Sequence, residues 1–145
     1  MKPAAFAYHD PTTIEETLEL LGRFGGEAKL LAGGQSLVPA MNFRLARPAR
    51  LIDLNHVDHL SYIEADDDWL RLGALTRQRA VERSATVGQR WPLLTESLHL
   101  VGHPQIRNRG TVGGSLAHAN PAAVRWRRRR GRPIGGNLVP CERIS

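Results

Sequence analysis

One cysteine, Cys141, is all the thiol chemistry this chain has. It closes no internal disulfide, and it cannot by itself hold zinc or an iron–sulfur cluster, each of which needs several ligands. Long apolar runs are missing too. The stretches here are a few residues long, whereas a membrane-spanning helix needs ~20, so no transmembrane segment is expected. The N-terminus, MKPAAFAYHDP, reaches proline and then His9 and Asp10 before a signal-peptide core can form, and the chain reads as cytoplasmic. An excess of charge is also absent from most of the molecule. The formal net charge is +6, yet residues 1–123 hold 13 Lys+Arg and 13 Asp+Glu. The whole excess lies in residues 124–145, where seven arginines face Glu142 alone. A basic face spread over a folded nucleic-acid-binding domain is therefore disfavoured.

What is present is enough for one ordinary domain or two small lobes, with 41% apolar residues to build cores. Thr12 or Thr13 is a helix N-cap, each followed three residues later by glutamate in a capping-box arrangement. Ile14, Leu18 and Leu21 then supply one apolar helical face, and Gly25 with Gly26 ends the helix. AKLLAGG reads as a buried strand, SLVPAMNFRLA as a helix with Pro39 near its start, and ARLIDLN as a second buried strand. Helix, strand, helix, strand is the order of a small parallel α/β unit. After Asn55 two alternating segments flank Asp66–Asp68, a β-hairpin signal, and further helices are expected near 76–84 and 91–101. An RGTVGG turn then enters a strand. No internal repeat or coiled-coil heptad is visible.

Two glycine turns stand out. Glycine admits positive φ and lets a ligand approach where a Cβ would block it, and a helix starting just afterwards points free N–H groups outward. Ala32, Gly33, Gly34, Gln35 and Ser36 fit a strand–turn–helix anion site, with Ser36 as helix cap. A tight strand–helix connection explains the same residues. No G-x-G-x-x-G is present, and no lysine follows Gly34 as a P-loop requires. The second turn places Gly110, Gly113 and Gly114 beside Thr111 and Ser115. Two such turns, one per lobe, are able to pinch a diphosphate from both sides.

LLAGGQSLVPAMNFRLARPARLIDLN together with HPQIRNRGTVGGSLAHANPAA resembles the flavin-binding subunit of the molybdenum hydroxylases, the group of xanthine dehydrogenase and aerobic carbon monoxide dehydrogenase. The resemblance covers roughly residues 1–123. It implies an α+β, PCMH-type two-lobe fold: a small parallel α/β lobe over residues 1–55, then an incomplete, mainly antiparallel α+β lobe over 56–123, with FAD extended between them. By the same resemblance Ala32 to Leu37 and Thr111, Gly113, Gly114 and Ser115 hold the FAD pyrophosphate through main-chain N–H groups and hydroxyls. Ala117, His118 and Asn120 lie along the ribityl–isoalloxazine side, although the family usually has aspartate where Asn120 stands. The implied partners are a large molybdopterin subunit and a small iron–sulfur subunit, which pass electrons to this FAD and on to NAD or another acceptor. The cofactor performs the redox chemistry, so no side chain here needs to be a nucleophile.

The remaining polar residues read plainly. The six histidines show no metal-ligand spacing, and His118 is either a flavin neighbour or an ordinary hydrogen-bonded loop residue. Asp66–Asp68 is a solvated turn. Arg107 and Arg109 either reach phosphate or a partner, or lie solvated on the surface, and Trp69 and Trp91 are packing residues. From Val124 the resemblance stops, where the family continues with an Ala-Glu-x-Pro pattern. The tail, with four consecutive arginines and no periodicity, is expected to be disordered. Alanine codons of a GC-rich gene read in another frame yield arginine and glycine, so a frameshift near Ala123 is expected; translation of the neighbouring DNA tests it. A second lobe shortened in this way would expose sheet edges, aggregate, and keep flavin weakly. The alternative from another class is an interaction protein whose arginine tail binds nucleic acid.

Overall fold

The computed structural model describes residues 1–119; Asn120, the arginine tail and the end of the second lobe lie outside the described residues. Three short parallel strands form the first sheet: β1 (Ala7–His9), β2 (Ala28–Leu31) and β3 (Arg50–Asp53). Their order is β1-β3-β2, so the chain leaves β1, passes through helix α1 (Ile14–Phe24) and skips one position to lay down β2. Helix α2 (Leu37–Asn42) then carries it back to the central strand β3, whose Leu51, Ile52 and Asp53 are all buried. In register, Leu31 of β2 stands opposite Asp53. The two strands therefore end level with each other, and the segments that leave them, Ala32 onward and Leu54 onward, emerge at one carboxyl edge.

Thr13 caps α1 by accepting from the Glu16 N–H at 3.1 Å, while the Glu16 carboxylate accepts from the Thr12 N–H at 3.0 Å. The helix ends at Gly25, which takes φ +50°. Its inner face is not the expected one. Ile14 and Leu18 are exposed, and the buried position is Thr17, flanked by the half-buried Leu20, Leu21 and Phe24. Thr17 satisfies its hydroxyl on the Thr13 carbonyl at 2.8 Å, which lets a small polar residue face the sheet at no unpaired cost. Phe24 lies between His9 and Arg50, with the guanidinium 4.0 Å from its ring centre.

The second part opens with the hairpin of β4 (Ile63–Ala65) and β5 (Leu70–Leu72), antiparallel across the Asp66–Asp68 turn. Five helices follow: α3 (Gln78–Arg83), α4 (Ala85–Arg90), α5 (Pro92–His99), α6 (Pro104–Arg109) and α7 (Val112–His118). The helix expected near 76–84 is α3, and an additional one, α4, follows it directly, capped by the Ser84 hydroxyl. The second glycine turn enters α7, not a strand; of the expected strand there is one antiparallel bridge between Arg77 and Thr111. Val81, Val87, Leu98 and Val112 form the core here, with Trp91 packed against it. Trp69, expected to pack, is exposed and lies beside Arg71.

Arg107 is not on the surface, and its guanidinium is engaged within the fold. It is buried, forks onto the Glu82 carboxylate at 2.9 and 3.2 Å, and donates to the carbonyls of Val101 and Gly102. Arg79 and His99 reach the same carboxylate at 2.9 and 3.1 Å. Burial raises the Glu82 pKa, but hydrogen bonds from Arg107 and Arg79 overcome this and hold it below the ordinary glutamate value. The cluster ties α3 to α6 and so fixes where Arg109 and Gly110 emerge.

Candidate functional site

Both expected turns meet at the carboxyl edge of the parallel sheet, where open α/β folds place their ligands. Gly33 packs its α-carbon against the main chain of the second turn. A Cβ there would stand 2.9 Å from the Gly110 Cα and overlap the Arg109 carbonyl oxygen. Gly114 faces Ala32 across the same junction, its would-be Cβ 3.6 Å from the Ala32 methyl carbon. Gly34 takes φ +73° to swing the chain into α2.

A cleft of about 420 Å³ opens beside this junction, lined by Ala32 to Gln35, Val38, Pro39, Asp53, Asn55 and Arg109. Among the described residues no acceptor stands on the main-chain N–H of Gly33, Gly34, Gln35, Ser36 or Leu37. Five successive open donors make the first turn suited to an anion. Ser36 does not cap α2: it sits in helical conformation and its side chain makes no cap hydrogen bond, so its hydroxyl is uncommitted.

The second turn is wired differently. The N–H groups of Val112 and Gly113 donate to the carbonyls of Thr76 and Ala74, that of Gly114 to the Thr111 hydroxyl, and that of Ser115 to the Thr111 carbonyl. These amides belong to the fold. What remains is hydroxyl: Thr111 Oγ1 and Ser115 Oγ each accept one bond, the latter from Gln78 Nε2 at 2.7 Å, and each keeps a proton to donate. Ala117 and His118 lie exposed on the last turn of α7.

An acid in the lining of an anion cleft needs explaining. Asp53 is buried, yet both its oxygens are spent: the Tyr8 hydroxyl donates to Oδ2 at 2.7 Å, and the main-chain and side-chain N–H groups of Asn55 donate to Oδ1. Burial alone raises its pKa, but these bonds outweigh burial and hold it below the usual carboxylate value. The same contact pushes the Tyr8 phenol up to about 12, through its hydrogen bond to Asp53 first and burial second. Asn55 passes the constraint on by donating to the Ala32 carbonyl at 2.9 Å, which sets the first turn's shape.

Reasoning from sequence named both turns but missed Tyr8, Asp53, Asn55, Arg77 and Gln78. The available signal was LIDLN: an Asp and an Asn at the carboxyl end of a buried parallel strand stand where ligands gather. Among the described residues no group of three His, Cys, Asp or Glu forms a metal site, and no helix is long and apolar enough to cross a membrane.

A family model described as FAD binding domain in molybdopterin dehydrogenase matches residues 4–124. The chain is 50% identical over 123 residues to the 6-hydroxypseudooxynicotine dehydrogenase complex subunit alpha of Paenarthrobacter nicotinovorans, covering 85% of this chain and 42% of that one. It is 45% identical over 121 residues to the carbon monoxide dehydrogenase medium chain of Hydrogenophaga pseudoflava, covering 83% and 42%. A crystal structure of Cu,Mo-CO dehydrogenase superposes with a TM-score of 0.81 at 38% identity, over 86% of this chain and 43% of that chain. The chain thus spans somewhat under half the length of the relatives it matches.

Proposed function

The chain belongs to the FAD binding domains of molybdopterin dehydrogenases, and from that membership we propose that the cleft at the two glycine turns receives the FAD diphosphate. The observation that carries this reading is the run of open N–H donors from Gly33 to Leu37, of which Gly33, Gly34 and Gln35 line the cleft. Gln35 supports the turn from within, its side-chain amide donating to the Gly33 carbonyl at 3.0 Å. From the second turn the half-buried Ser115 hydroxyl is available to donate and the buried Thr111 shapes the turn by capping α7, while Gly113 and Gly114 act by being small: a Cβ on Gly113 would stand 2.8 Å from the Ala74 carbonyl oxygen, and one on Gly114 2.6 Å from Thr111 Oγ1. Asp53 stays ionised, but its oxygens face the Tyr8 hydroxyl and the Asn55 N–H groups, which occupy them as acceptors.

Ala117, His118 and Asn120 are assigned to the ribityl–isoalloxazine side. His118 is exposed at the C-terminal turn of α7, and Asn120 lies outside the described residues. The bound flavin supplies electron transfer, and the protein supplies binding and orientation. In the full assembly the chain serves as the flavin component of a cytoplasmic dehydrogenase, beside a large molybdopterin subunit and a small iron–sulfur subunit, and delivers electrons to NAD or another acceptor. Nothing in the fold or in the comparisons favours nucleic-acid binding, whose arginine tail lies outside the described residues.

Titration of the purified chain with FAD, followed by quenching of flavin fluorescence, tests the assignment. Saturable binding is expected, weakened several-fold by inorganic pyrophosphate as competitor. Binding unaffected by substitution of Ser36 and Ser115 to alanine together would remove both hydroxyls from the site, and failure to saturate at all would remove the turns.

A further inference from the structure

We propose that Arg77 is a positioning residue for the flavin site, a clamp that joins the two glycine turns without touching the cofactor. The proposal rests on the flavin reading of the cleft. One terminal nitrogen of Arg77 donates to Asn55 Oδ1 at 2.7 Å, in the part of the molecule that carries the first turn. The other donates to the Arg109 carbonyl, at the start of the second turn. That carbonyl is the atom against which Gly33 packs, so it is held from two directions.

The clamp is itself held. Arg77 precedes α3 in extended conformation and is bridged to Thr111, which fixes its main chain beside the second turn. Asn55 is oriented by Asp53 and by the Ala32 carbonyl, and Asp53 in turn by Tyr8. A hydrogen-bonded path therefore runs Tyr8, Asp53, Asn55, Arg77, Arg109, with a branch to the first turn at Ala32. The acceptors that Arg77 uses are an amide oxygen and a carbonyl, and among the described residues no carboxylate pairs with it. Its placement follows from the planar fork, whose two ends serve two acceptors at once; the point charge of a lysine has no such fork.

Four variants of the full chain test this: Arg77→Lys, Arg77→Met, Asn55→Ala, and Arg77→Met combined with Asn55→Ala. FAD affinity is read by fluorescence titration, and folding of each variant by its urea unfolding midpoint. The clamp predicts that both Arg77 variants and Asn55→Ala weaken FAD binding about tenfold, and that the double variant loses less than the sum of Arg77→Met and Asn55→Ala, because the two share the Arg77–Asn55 bond. Wild-type affinity in Arg77→Lys would show that charge suffices and overturn the clamp. Additive losses in the double variant would overturn it as well. Should the wild-type chain bind no FAD, the flavin reading fails, and the clamp is read separately by hydrogen exchange. Faster exchange of the Leu54 and Gly110 amides in Arg77→Lys, with the Val81 and Val87 amides unchanged, supports it; unchanged exchange at Leu54 and Gly110 overturns it.

Discussion

Gly33 and Arg109 touch main chain to main chain, although 75 positions separate them in sequence. No side chain fits between them, and the two glycine turns become one structure at this point. Gly34, its neighbour, has a different reason to be glycine: its φ of +73°.

Alanine at the two positions is therefore expected to behave differently. Gly33→Ala forces backbone apart and costs ~2–3 kcal/mol, in the range of an overpacked core. Gly34→Ala meets only the side chains of Leu31 and Val38 at 3.2 Å and costs ~1–2 kcal/mol from left-handed strain. Urea unfolding ranks them, and only Gly33→Ala is expected to lose flavin affinity beyond what its lost stability explains. Equal behaviour of the two variants would mean that the turns do not meet as described.

Removing Arg107 leaves the Glu82 carboxylate buried with Arg79 and His99 for company. Arg107→Met is expected to destabilise by ~3 kcal/mol, as breaking a buried ion pair does. The Glu82 pKa is lowered on folding, so its contribution is present above its ordinary value of 4.5 and is lost as the pH falls through the lower folded value. A pH series of thermal midpoints should show this acid-side loss in the wild type and a much flatter one in Glu82→Gln. A wild-type profile level through the acid range would contradict the ion cluster.

Tyr8 and Asp53 form a second linkage, of opposite sign. The Tyr8 pKa rises from 10.0 to about 12 on folding, so the stability from its hydrogen bond is complete below pH 10 and is lost as the pH climbs toward 12. Tyr8→Phe is expected to cost ~1 kcal/mol near neutral pH. In a spectrophotometric titration of the folded wild type the Tyr8 phenolate appears only near pH 12, and that late step is missing from Tyr8→Phe. Its persistence in the variant would assign the step elsewhere.

Thr111 caps α7 through the Gly114 N–H at 3.1 Å and is nearly inaccessible to water. Thr111→Val keeps the shape and deletes the acceptor, and is expected to lower stability by ~1 kcal/mol, whereas Thr111→Ser retains most of it. Thermal unfolding of the pair decides this; equal midpoints would show that the hydroxyl does not cap.

Several of these features were legible before any coordinates. The capping box at Thr13 and Glu16, the glycine stop at Gly25 and the turn at Asp66–Asp68 are local, set by hydrogen bonds and φ values within a few residues. The face of α1 was not legible. Apolar periodicity selected Ile14 and Leu18, but the sheet admitted Thr17, since a short helix over a three-stranded sheet offers room for a small residue that satisfies its own hydroxyl. The short strand β1 was missed because three residues carry no periodicity, and it exists only by pairing with β3.

By itself the sequence determined the two small-residue turns, their order and the family to which they belong, because glycines beside hydroxyls restrict the main chain wherever they occur. Tertiary structure alone decided that the turns adjoin, that the first keeps its amides open while the second spends them on Thr76 and Ala74, and that Arg77 reaches across to Asn55. The physical reason is range. A turn's conformation is a property of neighbouring residues, whereas the company its N–H groups keep depends on which distant carbonyls the packed strands and helices bring within 3 Å.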